Sequence, residues 1–243
     1  MSPVHWVDDW PVWGTPGAPG RVPERAAKPI AGQHLAQPRA DDDFAAPRLG
    51  LQWQWNHNPQ DDRWSLTERP GFLRLKATKA PELWLAPNTL VQKAQGPRSR
   101  AIAAMDLAGL KPGDRCGLTL FGKYSGGILA ERSAAGETLL TMEVTEDQGK
   151  QRRVDRRITA QPVKATRLWM RLDMDFTSSR ASAAYSQDGE RWQALGGSFP
   201  MQFDWRTGTF QGEQIALACY NPAAGDGQID VDWFRLMPGP AVP

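Results

Sequence analysis

Asp230 and Asp232 stand two apart in the segment IDVDWF. On an extended strand their side chains project from one face, where two hard oxygen ligands can meet one cation. Asp43, in the DDDF string, offers a further carboxylate. The competing reading makes Asp230 and Asp232 solvated strand charges beside core residues Val231 and Trp233. Glu68 and Arg69 are adjacent in SLTERPG. An arginine beside a glutamate lowers its pKa, the wrong direction for a general acid, so the expectation is a hydrogen-bonded pair at a turn rather than an acid/base dyad. Trp53, Trp55 and His57 lie in QWQWNHNP. That spacing suits a sugar-facing strip, or two tryptophans packed on one face with His57 making a turn hydrogen bond; the packed reading is preferred. His5, His34 and His57 share no i, i+4 spacing, which excludes a helical zinc-hydrolase motif. There is no GxSxG, no P-loop and no GxGxxG after a strand.

The elements that must position these residues belong to a chain of 243 residues with 29 Lys plus Arg against 27 Asp plus Glu, a net charge of +2. Charge this balanced argues against nucleic-acid and polybasic membrane partners, and the one short basic stretch is Arg152, Arg153, Arg156 and Arg157. No window approaches the roughly 18 apolar residues of a spanning helix. The first residues, with Asp8, Asp9 and Pro11, lack the apolar core of a signal peptide, so the chain as written reads as soluble and without an export signal. Cys116 and Cys219 sit in apolar strand-like contexts, GDRCGLTLF and QIALACY. They can form one bridge if strands bring them together, but buried free thiols are the preferred reading. Eleven tryptophans beside three tyrosines permit carbohydrate stacking as readily as core packing.

Residues 14 to 40 are rich in proline and glycine and read as an extended linker. Before them, Trp6, Trp10 and Trp13 need something to pack on, either the following domain or a neighbour outside this chain. From Phe44 to about Leu236 the texture is all-β, with short alternating segments broken by Gly, Pro, Asn and Asp. In Arg167 to Phe176, residues Leu168, Met170, Leu172, Met174 and Phe176 take one face, and Arg171, Asp173 and Asp175 a largely solvated one. Asp188-Gly189 marks a hairpin. Further strands are expected at Phe72 to Ala77, Glu82 to Ala86, Arg98 to Asp106, Arg115 to Phe121, Thr138 to Thr145, Gln151 to Ile158, Gln214 to Tyr220 and Gln228 to Leu236. Ten or so strands without a 3.6-residue period make a two-sheet antiparallel β-sandwich of jelly-roll type, with a closed barrel as the alternative.

The string LGLQWQWNHNPQDDRWSLTERPGFLRLKA (residues 49 to 77) resembles the start of the C-terminal concanavalin A-like domain of glycoside hydrolase family 43 β-xylosidases and α-L-arabinofuranosidases. GPRSRAIAAMDLAGLKPGDRCGLTLFG, YSQDGERW, GTFQGEQIALACYN and IDVDWFRL continue the resemblance in the family's order, over roughly residues 41 to 237. The opening HWVDDWPVWG resembles the closing segment of that family's five-bladed propeller. The resemblance therefore implies a propeller-end remnant and linker over 1 to 40, a sandwich over 41 to 237 and a tail over 238 to 243. In the family the catalytic carboxylates belong to the propeller. With only about 40 residues ahead of the sandwich, no residue here inherits the acid or base role, and the chain alone is expected to be inactive.

What the resemblance implies instead is an accessory module that packs on a family 43 catalytic propeller. Within the motif Gly208-Thr209-Phe210-Gln211-Gly212, Phe210 is the candidate substrate-binding residue, an apolar wall that helps close the pocket over a xylo- or arabino-oligosaccharide. The alternative is a phenylalanine that anchors its own loop. Sandwiches of this class often bind one structural Ca²⁺, for which Asp43, Asp230 and Asp232 are the candidate ligands. The rival functions are a xylan-type carbohydrate-binding module using stacked tryptophans and an adhesion domain without sugar chemistry. The parent enzyme is open to export to the periplasm or the medium by a signal outside this sequence.

Overall fold

A computed structural model describes residues 3–15, 17–27, 32, 39–122, 124–147, 153–201 and 212–242. It divides into two compact units, residues 1–38 and 39–243. No helix among the described residues is long and apolar enough to cross a membrane.

The first unit is a three-stranded antiparallel sheet of β1 (Val4–Val7), β2 (Trp10–Thr15) and β3 (Ala18–Pro19), in that order. Val7 pairs with Trp10, so Asp8 and Asp9 form a two-residue turn, and both hold positive φ (48° and 63°) as a primed hairpin turn requires. The linker reading of residues 14 to 19 is corrected here. Gly14 pairs with Pro19 and Thr15 with Ala18, and only glycine fits at 14, where φ is 108° and a Cβ would stand 2.9 Å from the Ala18 carbonyl oxygen.

The second unit holds β4 (Gln54–Trp55), β5 (Trp64–Ser65), β6 (Leu73–Lys76), β7 (Thr78–Lys79), β8 (Leu90–Lys93), β9 (Arg98–Asp106), β10 (Arg115–Phe121) and β11 (Ser125–Arg132). After these come β12 (Thr138–Asp147), β13 (Arg153–Val163), β14 (Arg167–Asp175), β15 (Arg180–Ser186), β16 (Gln193–Ala194), β17 (Phe199–Pro200), β18 (Gln214–Asn221) and β19 (Gln228–Pro238). One sheet runs β13-β12-β11-β10-β18-β8-β4 with β7 also on β18; the other runs β16-β15-β14-β9-β19-β6-β5 with β17 also on β15. Pairing is antiparallel throughout except for the short parallel contact of β7 with β18. Among the described residues no strand of one sheet pairs with a strand of the other, which makes a sandwich rather than a closed barrel.

The inward faces form one core. In β14 the alternation is clean: Leu168, Met170, Leu172 and Met174 are buried, all four pair across to β9, and the last three also pair to β15. Two details of that strand differ from expectation. Phe176 falls just past the strand end and is exposed. Asp173 and Asp175 are buried rather than solvated, because Arg100 and Arg98 of the neighbouring strand lie against them (2.5 and 3.0 Å). The expected strand at 82 to 86 is a 3₁₀ turn, Leu83–Leu85, flanked by Pro81 and Pro87, which cannot donate to a ladder. This segment lies over the outer face of the first sheet, where Leu83 packs with Phe121, Leu129, Ala216, Ala218 and Tyr220. Every residue of β18 is consequently buried, which is why QIALACY reads as a continuous apolar run.

Between β15 and β16 the turn spans six residues, longer than a two-residue hairpin, and Asp188 organises it by accepting from the backbone amides of Glu190 and Arg191. The tail is docked rather than loose: Val242 is buried and its amide donates to Asp175 Oδ2 (3.2 Å).

Candidate functional site

The three expected calcium ligands each meet a guanidinium group. Asp230 of β19 stands opposite Asp106 of β9 on one side and Arg74 of β6 on the other. Arg74 donates from Nε to Asp230 Oδ1 (2.7 Å) and from Nη2 to Oδ2 (2.9 Å), while Arg69 Nη1 donates to both Asp230 Oδ2 and Asp106 Oδ2 (2.8 Å each). Burial alone would raise the Asp230 pKa, but the hydrogen bonds from Arg74 and Arg69 outweigh it and hold the carboxyl below its ordinary value. Asp232 pairs with Arg167, and Asp43 with Arg235.

The shared face expected for Asp230 and Asp232 is interrupted by a β-bulge between Val231 and Trp233. The bulge shifts the phase of the strand. Ile229 and Val231 point into the core before it and Phe234 and Leu236 after it, so Trp233 is turned outward under Arg235 instead of entering the core. Among the described residues no three His, Cys, Asp or Glu side chains are grouped to hold a metal. As placed, these carboxylates fit arginines rather than a cation.

Glu68 and Arg69 do not pair with each other. Ser65 Oγ accepts from the amides of Thr67 and Glu68, and in the resulting turn Glu68 meets Lys76 (2.7 Å) and Arg74 (3.2 Å) while Arg69 reaches β9 and β19. The Glu68 pKa is lowered, chiefly by the Lys76 hydrogen bond. Burial raises the pKa of Asp114. It is sealed in a loop where Asn221 Nδ2 and the Lys111 amide donate to it (2.9 and 2.8 Å), and a Cβ at Gly227 would overlap its Oδ2. No substrate can reach it.

The described tryptophans of the sandwich are committed to packing. Trp53 is buried between Phe44 and Phe234 (centroids 5.9 and 5.1 Å) and donates Nε1–H to Asp42 Oδ2 (2.8 Å); Trp55 packs on Trp64 (5.1 Å). His57 donates Nε2–H to the Trp84 carbonyl (2.7 Å), and the Trp84 ring stacks on Phe121 (5.0 Å). On the second sheet Arg167 covers Trp169, Arg171 covers Trp192 and Arg235 covers Trp233. The exposed tryptophans among the described residues are Trp6 (73%), Trp10 (74%) and Trp13 (67%), all in the first unit.

Cys116 and Cys219 are directly opposed on β10 and β18 and form a disulfide that closes a sequence separation of 103 residues. This corrects the free-thiol reading: the antiparallel register brings two buried sulfurs together, and nothing in the local sequence reveals that register. Phe210 lies outside the described residues.

The sequence reading also missed a water-sized recess on the outer face of the first sheet, lined by Leu83, Thr119, Ser125, Gly126, Leu129, Glu143, Thr145 and Tyr220. Its floor is set by register. Thr119 of β10 stands opposite Gly127 of β11, and Gly127 opposite Glu143 of β12, so a residue without a side chain separates the hydroxyl from the carboxylate. Ser125 and Thr145 form the next pair along the same face. The double glycine of SGGILAER had obscured β11 altogether.

A family model described as the β-xylosidase C-terminal concanavalin A-like domain matches residues 41–237. The chain belongs to this family. A β-xylosidase of Formosa agariphila is 34% identical over 266 aligned residues, which take in 96% of this chain and 41% of that enzyme. Among solved structures, a bifunctional GH43-CE protein of Bacteroides eggerthii superposes with a TM-score of 0.85 at 30% identity, over 99% of this chain and 30% of that one. A family 43 glycoside hydrolase engineered to display both endo-xylanase and exo-arabinofuranosidase activity gives 0.80 at 28% identity, over 98% of this chain and 48% of that one. The concanavalin A-like chain thus spans less than half the length of each of these relatives.

Proposed function

We propose that this chain is the accessory sandwich of a family 43 glycoside hydrolase that acts on xylo- or arabino-oligosaccharides. It packs on the catalytic propeller and helps close the substrate pocket, with Phe210 supplying an apolar wall. Residues 1 to 40 then form the propeller's end and the linker. The observation that carries this reading is the match of 99% of this chain to 30% of a longer family 43 protein, combined with an N-terminal sheet that leaves three tryptophans exposed. The described carboxyls support an absence of independent catalysis: Glu68 has its pKa lowered and Asp114 is sealed from substrate. A free-standing module gripping xylan by tryptophan stacking is less well supported, since the described sandwich tryptophans are covered by their own neighbours.

Release of nitrophenol from 4-nitrophenyl β-D-xylopyranoside and α-L-arabinofuranoside tests the reading. The chain alone is expected to be silent, a co-expressed family 43 propeller to restore turnover, and Phe210→Ala to lower kcat/KM about tenfold or more. Turnover by the chain alone overturns it.

A further inference from the structure

We infer that Arg171, on the outer face of the second sheet, anchors a surface site for the carboxylate of a sugar acid. The choice of a uronate-bearing sugar rests on the family 43 reading; the site itself rests on charge balance and on what surrounds the guanidinium.

The arginines of this face are otherwise matched to carboxylates. Arg98 hydrogen-bonds Asp175, Arg100 hydrogen-bonds Asp173, Arg167 hydrogen-bonds Asp232 and Arg235 hydrogen-bonds Asp43. Arg171 differs. The carboxylate nearest it is Asp173, whose two oxygens already accept from Arg100 Nε and Nη2 (2.5 and 3.1 Å). Arg171 Nε lies 3.2 Å from Asp173 Oδ2 but is not aligned to donate, and among the described residues this buried N–H has no hydrogen-bond partner. The strand register explains why no other acceptor is in reach. Arg171 of β14 stands opposite Ile102 of β9 on one side and Ala184 of β15 on the other, and its guanidinium lies over the Trp192 ring (4.7 Å). The side chain is only 19% exposed, so water screens it poorly. Burial lowers the Arg171 pKa in spite of Asp173, and Arg100 adds to the effect. Two guanidinium groups therefore share one carboxylate, and the local excess is a single positive charge. A monoanion balances it, and a planar carboxylate matches the fork of N–H donors better than a phosphate dianion does. The hydrocarbon of Ile102 and Ala184 and the half-buried indoles of Trp169 and Trp192 surround that charge, which suits the C–H face of a pyranose attached to the carboxylate. An acid group beside an apolar ring face is the chemistry of a uronate.

Titration of the full chain with sodium methyl β-D-glucuronide, followed by the arginine Nε–H signals in NMR and by calorimetry, tests the site. Saturable binding with a Kd in about the millimolar range is expected at low salt, weakening several-fold as the salt is raised to about 0.2 M. Methyl β-D-glucopyranoside, the same ring without the charge, should not bind in that range. Arg171→Met removes the anchor and should weaken glucuronide binding at least about tenfold. It should not lower Tm, because the guanidinium gives up no internal hydrogen bond, and a merely structural arginine would show the opposite pattern. If Arg171→Met fails to fold, Arg171→Lys provides the second reading: it keeps the charge, loses the fork and should bind several-fold more weakly. Absence of saturable binding, wild-type affinity in a folded Arg171→Met protein, or tighter binding of inorganic phosphate than of the glucuronide overturns the inference. Because this assay needs no propeller, a failed nitrophenol reconstitution with intact glucuronide binding removes the accessory-module reading alone, and the reverse pattern removes the Arg171 site alone.

Discussion

Replacing Asp230 by asparagine removes one negative charge from between two arginines while keeping the side chain's shape. The wild-type carboxylate, 8% exposed, accepts three charge-assisted hydrogen bonds, two from Arg74 and one from Arg69. Such bonds contribute about 1.5–3 kcal/mol each in isolation. The full total does not apply, because the contributions are not additive, Arg69 and Arg74 remain 37% and 19% exposed to screening solvent, and asparagine retains one acceptor. A loss of about 2–3 kcal/mol is therefore expected, which for a domain of this size lowers Tm by roughly 4–12 °C at pH 7.

The pH dependence has a definite sign. The folded-state pKa of Asp230 is depressed below its unfolded value of about 3.9, so its contribution is fully present above that value and is lost as pH falls through the folded value. The gap between wild type and Asp230→Asn should accordingly narrow below about pH 4. Differential scanning calorimetry from pH 7 down to pH 3, with calcium or with EDTA, measures both effects. Neither addition should change the wild-type Tm. A variant within about 1 °C of wild type at pH 7 refutes the ion-pair reasoning. A wild-type Tm that rises several degrees with calcium, and does so only when Asp230 is present, restores the metal reading.

Two further outcomes are expected. Loss of the disulfide, by Cys116→Ala with Cys219→Ala, should lower stability in urea by about 2–4 kcal/mol because a loop of 103 residues is no longer closed in the unfolded chain; iodoacetamide capture of both thiols in denaturant without reductant would show that no bridge exists. Gly127→Ala should cost about 1–3 kcal/mol, since the new Cβ would stand 2.5 Å from the Leu118 carbonyl oxygen and 2.6 Å from the Thr119 Cα, backbone atoms that cannot yield; an unchanged unfolding midpoint contradicts that close approach.

The amino-acid sequence by itself determined the all-β class and many of the strands. Side-chain alternation has the same period as the pleat, so Leu168 to Met174 announce their face without help from the rest of the chain. The family was legible for a related reason: apolar and turn residues recur in a fixed order along the domain. Cross-strand relations were not legible. The register that opposes Cys116 to Cys219, the bulge that turns Trp233 out and Phe234 in, and the arginines that occupy Asp43, Asp230 and Asp232 all arise between residues distant in sequence. A one-residue shift of pairing inverts which face a side chain takes, and local pattern carries no information about such a shift across the bulge. The recess was hidden for the same reason. Gly126 and Gly127 weaken the strand signal of β11, yet glycine is required at 127, where a Cβ would stand 2.5 Å from the Leu118 carbonyl oxygen once three strands are side by side.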